Sequence, residues 1–179
     1  KLLKKIVDMK KTYLFFKKKM LPDIIELKYL IKELKKFKPD LIIALGGGCV
    51  LDYAKIANVF HNEENIEKKV KKSEFLFKNK LSTLIAIPTT AGSGAEVTPF
   101  AVLYIDKIKY SVEHRLVKPD YFFIAPQLIL SSKKPLKASS GFDAIAQALE
   151  SLISFKSNKK SIQFSKQSLK FSIHNYKNF

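Results

Sequence analysis

The amino-acid sequence predicts an α/β fold built on a parallel sheet, with a purely helical stretch after it. Three observations carry that prediction. The run Leu41-Ile-Ile-Ala-Leu45 reads as a buried strand and passes directly into Gly46, Gly47 and Gly48 and then into a helical pattern. A second apolar run, Leu81 to Ile87, also ends in a glycine-bearing loop. From Ser132 the periodicity becomes wholly helical. Strands alternating with helices favour a parallel sheet, because a parallel pair needs a crossover connection.

The elements follow in order. Residues 1–20 are rich in lysine around Tyr13-Leu-Phe-Phe16 and read as a short strand or helix. From Pro22, the residues Ile24, Ile25, Leu27, Leu30, Ile31 and Leu34 recur at helical spacing, and Phe37-Lys38-Pro39 closes the element. Leu41 to Leu45 is wholly apolar, as expected of a central parallel strand covered on both faces. The three glycines then allow close backbone approach, so that consecutive N–H groups and a helix N-terminus can converge on an anion such as a nucleotide phosphate. A tight strand-to-helix turn is the alternative. The clustering of the chain's 6 glycines at Gly46 to Gly48, Gly92 with Gly94, and Gly141 favours the phosphate turn. The spacing is not G-x-G-x-x-G. Beyond the glycines, Val50, Leu51, Ala54, Ala57 and Phe60 keep helical spacing, and Asp52, Lys55 and Asn58 form a polar stripe. Residues 61–73 are charged and poorly periodic and predict a surface excursion. His61, His114 and His174 are isolated and are expected at the surface or in caps.

The second strand ends in Pro88-Thr-Thr-Ala-Gly-Ser-Gly-Ala-Glu-Val-Thr98, whose hydroxyls, bare amides and carboxylate suit a loop wrapped around a polar ligand. A capping box between Ser93 and Glu96 is the alternative. Short strands are expected at 100–105, 109–112 and 121–124, with Asp106-Lys107 as a hairpin turn. A domain boundary is expected near Ser132, dividing the chain into an α/β unit (1–132) and a helical unit (133–179). In the latter, Phe142, Ile145, Ala146, Leu149, Leu152 and Ile153 form an apolar stripe. Asp143 and Gln147 lie one turn apart on another face and can address a common point; alternatively Ser140 is an N-cap and Asp143 a first-turn acid. A last helical stretch spans 159–173.

Composition limits the function classes. The net charge is +17, from 33 Lys and Arg against 16 Asp and Glu. Arg115 is the sole arginine and the lysines are dispersed, which argues against specific nucleic-acid recognition and leaves weak polyanion binding. No apolar run approaches the roughly 20 residues of a membrane span, and no signal-peptide core is present, so a cytoplasmic protein with no membrane association is expected. The lone Cys49 excludes an internal disulfide. Two readings apply to it: a thiol activated by a helix N-terminus, or a small residue tolerated in a tight loop.

The segments Pro39 to Gly48, Asp52-Tyr-Ala-Lys55, Ile87 to Gly94 with Glu96-Val-Thr98, Pro119-Asp120, and Gly141-Phe-Asp-Ala144 with Ala148-Leu-Glu-Ser151 stand in the order found in the iron-containing, or group III, alcohol dehydrogenases. The chain resembles that family from about Pro39 to Ser172. The resemblance implies a Rossmann-like dinucleotide-binding domain followed by the start of an all-helical domain, with NAD or NADP and a divalent iron or zinc between them. It implies that Gly46, Gly47, Gly48, Cys49 and Asp52 hold the cofactor pyrophosphate, that Thr89, Thr90 and Ser93 contact its phosphates and ribose side, and that Lys109 is the cofactor-side lysine. The family's metal ligands are an aspartate, a histidine four residues later and two histidines downstream. Asp143 matches the first, Gln147 stands at the second, and the others would lie beyond Phe179. Cys49 replaces the family's usual serine. The opening strand and the adenosine-ribose loop are not evident before Lys1, so the sequence reads as an internal fragment. Gly141 to Ser151 followed by Ser157-Asn158 is similar to the 3-deoxy-octulosonate 8-oxidase type branch, which oxidises sugar-acid hydroxyls.

The resulting expectation is a metal-dependent oxidoreductase moving hydride between NAD(P) and a small-molecule alcohol or sugar acid, homodimeric at full length. The fragment alone is expected to be inactive. A degenerate homologue that binds dinucleotide without turnover and a lysine-rich polyanion-binding domain are the alternatives.

Overall fold

The computed structural model describes residues 11–176. Helix α1 (Ile24–Phe37) starts at Asp23, whose side chain accepts from the N–H groups of Ile25 and Glu26, and ends at Lys38 in the left-handed region. Strand β1 (Leu41–Gly46) leads into α2 (Gly48–Val59), and a short α3 (Ile66–Lys71) precedes β2 (Thr83–Pro88). The hairpin β3 (Phe100–Ile105) and β4 (Ile108–Glu113), a 3₁₀ turn at Arg115–Val117, β5 (Tyr121–Phe122) and α4 (Pro126–Leu130) follow. Two long helices, α5 (Lys134–Ile153) and α6 (Lys159–Tyr176), close the described chain.

The parallel sheet has the order β1-β2-β5, and its register runs from Leu41 opposite Thr83 to Gly46 opposite Pro88. Both glycine loops therefore leave the sheet at the same level. One further bond, from Thr89 N–H to the Gly46 carbonyl at 2.9 Å, holds their first residues together. The β3–β4 hairpin turns at Asp106 and Lys107, which have φ of 52° and 64°. Two consecutive left-handed residues are what a two-residue turn needs to match strand twist.

Helix α2 lies at the centre. Its Leu51 and Ala54 pack with Ala44, Leu84 and Ala86 of the sheet, while Tyr53, Ile56 and Phe60 join Leu27 and Ile31 of α1 and Leu103 and Val112 of the hairpin. Because α2 is enclosed from both sides, its polar stripe is internal. Asn58 exchanges hydrogen bonds with the Ser82 backbone, its amide donating to the carbonyl and its oxygen accepting from the N–H, both at 2.9 Å.

Several sequence expectations are corrected. Among the described residues β1 pairs on one side only, and Ile43 is 52% exposed, so the strand is an edge covered on one face instead of a central strand covered on both. The excursion 61–73 contains α3, and Ile66 and Val70 sit in the core; two apolar residues four apart suffice to anchor one charged turn. His61 is buried, its Nδ1 3.0 Å from the Asn58 carbonyl. His114 is a cap as expected, accepting from Leu116 N–H. The expected strand at 121–124 is reduced to Tyr121–Phe122, and Pro126 opens a helical turn that the sequence reading did not anticipate.

The helix carrying Asp143 begins at Lys134, with Pro135 in its first turn. Ser140 is thus interior and not an N-cap: its Oγ donates to the Leu136 carbonyl at 2.6 Å, satisfying the hydroxyl within the helix. The apolar stripe of α5 is largely uncovered, with Phe142 and Leu149 exposed and Ala148 the only buried residue of the helix. Helix α6 approaches α5 at Gly141. A Cβ at Gly141 would lie 3.2 Å from the Tyr176 ring. In the opening segment, residues 1–10 lie outside the described part, and Tyr13 to Phe16 form neither strand nor helix.

Candidate functional site

The equal strand register sets the two glycine loops against each other. A Cβ at Gly47 would stand 3.3 Å from Thr90 Oγ1, and one at Gly48 only 2.9 Å from Ser93 Oγ. Gly46 is also excluded from carrying a side chain, since its Cβ would lie 2.6 Å from Val50 Cβ. Gly47 caps α2 with no side-chain hydrogen bond, and the first turn holds no acidic residue. The first-turn amides at Gly48 and Cys49 have no place in the i→i−4 ladder and face an electrostatically positive helix end. This edge, bounded by Thr90 and Ser93, suits an anion.

The second loop continues to α5. A Cβ at Gly92 would come within 2.3 Å of the Ser140 carbonyl oxygen and 3.4 Å of Asp143 Oδ2. Gly48, Ser93, Gly92 and Asp143 thus form one line of contact from the start of α2 to the middle of α5. Asp143 Oδ2 accepts a hydrogen bond from Gln147 Nε2 at 2.9 Å, so the two side chains do meet on an exposed face. Zinc and iron centres take three or four ligands. Asp143 and Gln147 are two, and among the described residues no group of three or more His, Cys, Asp and Glu gathers.

The remaining candidates divide by environment. Thr89 is engaged through its backbone, its N–H with Gly46 and its carbonyl with the Ser132 hydroxyl at 3.3 Å. Ser93 Oγ accepts from Ala95 N–H at 3.3 Å in a local turn, and Glu96 starts no helix, so the capping-box alternative is not realised. Burial pushes the Cys49 thiol up, against the opposing charge of Lys17, which does not favour the activated-thiol reading. Lys109 is exposed on β4 and its charge acts on Asp52. Asp52 itself points away from the helix end. Its Oδ2 accepts from Val102 N–H at 3.1 Å, its Oδ1 is 3.9 Å from Lys55 Nζ, and burial raises its carboxyl to about 6.

Lys55 is the residue that sequence reasoning passed over. It is 1% exposed, and its ammonium donates to the carbonyls of Ala95 at 2.8 Å and of Phe100 and to Thr98 Oγ1 at 3.4 Å. Burial lowers it to about 8 despite Asp52 and Glu96 nearby. The available signal was a lysine inside Ala54-Lys-Ile-Ala57, flanked by small and apolar residues that leave it no solvent face.

The family model described as iron-containing alcohol dehydrogenase matches residues 1–126. The chain belongs to the iron-containing alcohol dehydrogenase family. It is 35% identical over 146 residues to an aldehyde-alcohol dehydrogenase of Streptococcus pneumoniae, covering 74% of this chain and 16% of that protein. It is 35% identical over 129 residues to an alcohol dehydrogenase of Thermococcus barophilus, covering 68% of this chain and 34% of that one. The chain therefore spans between about a sixth and a third of the length of these relatives. Among solved structures, an iron-containing alcohol dehydrogenase from Thermotoga maritima superposes with a TM-score of 0.83 at 27% identity, covering 93% of this chain and 46% of that one. A sulfoacetaldehyde reductase from Bifidobacterium kashiwanohense in complex with NAD+ superposes with 0.85 at 25%, covering 92% and 44%. The fold is accordingly the Rossmann-like domain of the iron-containing alcohol dehydrogenase family with the start of its helical part. No described helix is long and apolar enough to cross a membrane.

Proposed function

We propose that this chain is the cofactor-binding part of an oxidoreductase that moves a hydride between NAD or NADP and an alcohol or sugar-acid hydroxyl. The observation that carries the reading is the apposition of the two glycine loops, Gly47 against Thr90 and Gly48 against Ser93, at the uncapped start of α2. There, Gly46, Gly47, Gly48 and Cys49 supply bare backbone to the pyrophosphate, and Thr89, Thr90 and Ser93 border its phosphates and ribose side. Asp52 and Lys109 act from behind this edge. Family membership and the NAD+ complex of the Bifidobacterium reductase support a nicotinamide cofactor.

Residues 1–132 form the dinucleotide-binding domain in this reading, and 133–179 begin a helical metal and substrate domain. Asp143 would ligate a divalent iron or zinc and Gln147 would add a neutral oxygen after its amide turns over. A divalent metal held there would supply Lewis-acid polarisation of an alcohol oxygen, and a nicotinamide at the glycine loops would supply the hydride acceptor. The complete protein is a homodimer acting on a small molecule in the cytoplasm, without specific nucleic-acid or membrane partners.

A second reading, a homologue that binds dinucleotide without turnover, is favoured by one observation: Gln147 stands where an imidazole would serve iron or zinc better. The deciding experiment is turnover of NAD+ and NADP+ by the complete protein with a panel of alcohols and sugar acids, with and without added iron or zinc. Metal-dependent appearance of reduced nicotinamide supports the oxidoreductase. Cofactor binding with no turnover on any of them supports the second reading.

A further inference from the structure

Lys55 occupies a place that a core would fill more cheaply with an apolar residue. It stands on α2 roughly two turns beyond Gly48, and its three ammonium protons meet three acceptors: the carbonyls of Ala95 and Phe100 and the Thr98 hydroxyl. All three belong to the second glycine loop or its exit into β3. Between Ser93 and Thr98 the loop's own hydrogen bonds are local, Val97 N–H to the Gly94 carbonyl at 3.1 Å and Ala95 N–H to Ser93 Oγ at 3.3 Å, while at its ends Thr89 N–H donates to the Gly46 carbonyl at 2.9 Å and the Pro99 carbonyl accepts from His114 N–H at 3.1 Å. Lys55 ties the far part of this loop, Ala95 to Phe100, to the helix that carries the first one. Asp52, one turn earlier, balances the ammonium and fixes β3 through Val102 N–H. Both glycine loops are thereby referenced to a single rigid helix, the condition for holding ligand groups at defined separation.

We propose that Lys55 is a positioning residue for the dinucleotide: its ammonium holds residues 94–100 in the shape that keeps Ser93 against Gly48 and Thr90 against Gly47, without touching the ligand. The inference rests on the cofactor reading of those loops. A neutral amine keeps two N–H groups for three acceptors and loses the charge that strengthens each bond, so cofactor affinity depends on this proton. The charged groups facing the amine are Asp52 on α2 and Glu96 on the loop, while Lys109 on β4 faces Asp52 in turn. Strands β1 and β2 bring no ionisable side chain, the Tyr104 backbone of β3 is engaged with Pro22, and Glu26 of α1 meets Tyr53 on another face of α2.

Two measurements on the complete protein test this, both by titrating NADH fluorescence. The paired substitution Asp52→Asn with Lys55→Met removes both buried charges without leaving one orphaned, while the Ala95 and Phe100 carbonyls and the Thr98 hydroxyl lose their donor. The expected result is a folded protein with NADH affinity weakened tenfold or more and faster amide exchange across residues 94–100. Unchanged affinity and exchange in the folded variant overturn the inference, and so does a weakening that only tracks a fall in stability. The second measurement needs no change at Lys55. In a Cys49→Ser background, which removes the thiol on the same helix, affinity falls as pH rises through about 8, where Lys55 deprotonates, towards the level of the paired variant. A flat profile overturns the inference. Absence of NADH binding by the wild type at any pH overturns the cofactor reading first and is thereby distinguishable from a failure specific to Lys55.

Discussion

Gly92→Ala probes the join between the second glycine loop and α5. The added Cβ would lie 2.3 Å from the Ser140 carbonyl oxygen and 3.1 Å from its carbon. Both are backbone atoms inside a helix, so neither can turn aside, and relief requires the loop to retreat by on the order of 1 Å, given carbon–oxygen contact distances. Overpacking of this kind costs about 1 to 3 kcal/mol. For a chain of this size that is a fall in melting temperature of about 2 to 12 °C. The same retreat carries Ser93 away from Gly48, and a misplacement of ~1 Å in a positioned group costs up to about a hundredfold. NADH affinity of the complete protein should therefore fall tenfold or more, read by fluorescence titration, with Ala91→Gly as the control at an exposed neighbour. A Gly92→Ala protein with wild-type melting temperature and wild-type affinity would refute the apposition of loop and helix.

Three further outcomes are expected. Asp52 binds its proton more firmly folded than unfolded between about 4 and 6, so its contribution to stability falls as pH rises through that window; Lys55 sheds its proton in the folded state between about 8 and 10.5, so stability recovers there. Melting curves of wild type minus the Asp52→Asn, Lys55→Met variant should show a trough between about 6 and 8, on the order of 3 kcal/mol deep against the alkaline limit, and a level difference would contradict the buried pair. The isolated 179 residues should self-associate, since among the described residues β1 has an open edge and Ile43, Phe142 and Ile153 are exposed; a monodisperse monomer in sedimentation would contradict this. In the complete protein, Gln147→His should raise bound iron or zinc and Asp143→Asn should abolish it, as measured by elemental mass spectrometry. Equal metal in wild type and Asp143→Asn would remove Asp143 from the ligand set.

What could be read from the sequence was governed by how local the determining physics is. The glycine turn at Gly46 to Gly48 was legible because an apolar run, bare backbone and helical spacing adjoin within one stretch. The hairpin at Asp106-Lys107 and the Asp143–Gln147 pair were legible for the same reason. The start of α5 was not, because Ser139, Ser140 and Gly141 resemble a cap and only the packing of Tyr176 on Gly141 explains a glycine inside the helix. The edge position of β1 depends on which strands pair, a non-local property. Lys55 escaped because a lysine three residues from an aspartate on a helix ordinarily marks a solvated face; here the hairpin and the sheet close over both sides of α2 and turn that stripe inward.

The central claim is that the apposed glycine loops hold a dinucleotide, and Gly47→Val tests it most directly. Gly47 has ordinary extended backbone, φ −71°, so no conformational strain accompanies the change, and the fold should be retained. A Cβ there would stand 3.3 Å from Thr90 Oγ1, so the two further methyl groups of valine must occupy the edge where a pyrophosphate would meet the backbone. Titration of NADH fluorescence in the complete protein is expected to give a Kd more than about ten times that of wild type with the circular dichroism spectrum unchanged. Equal affinity in the two proteins would contradict the account.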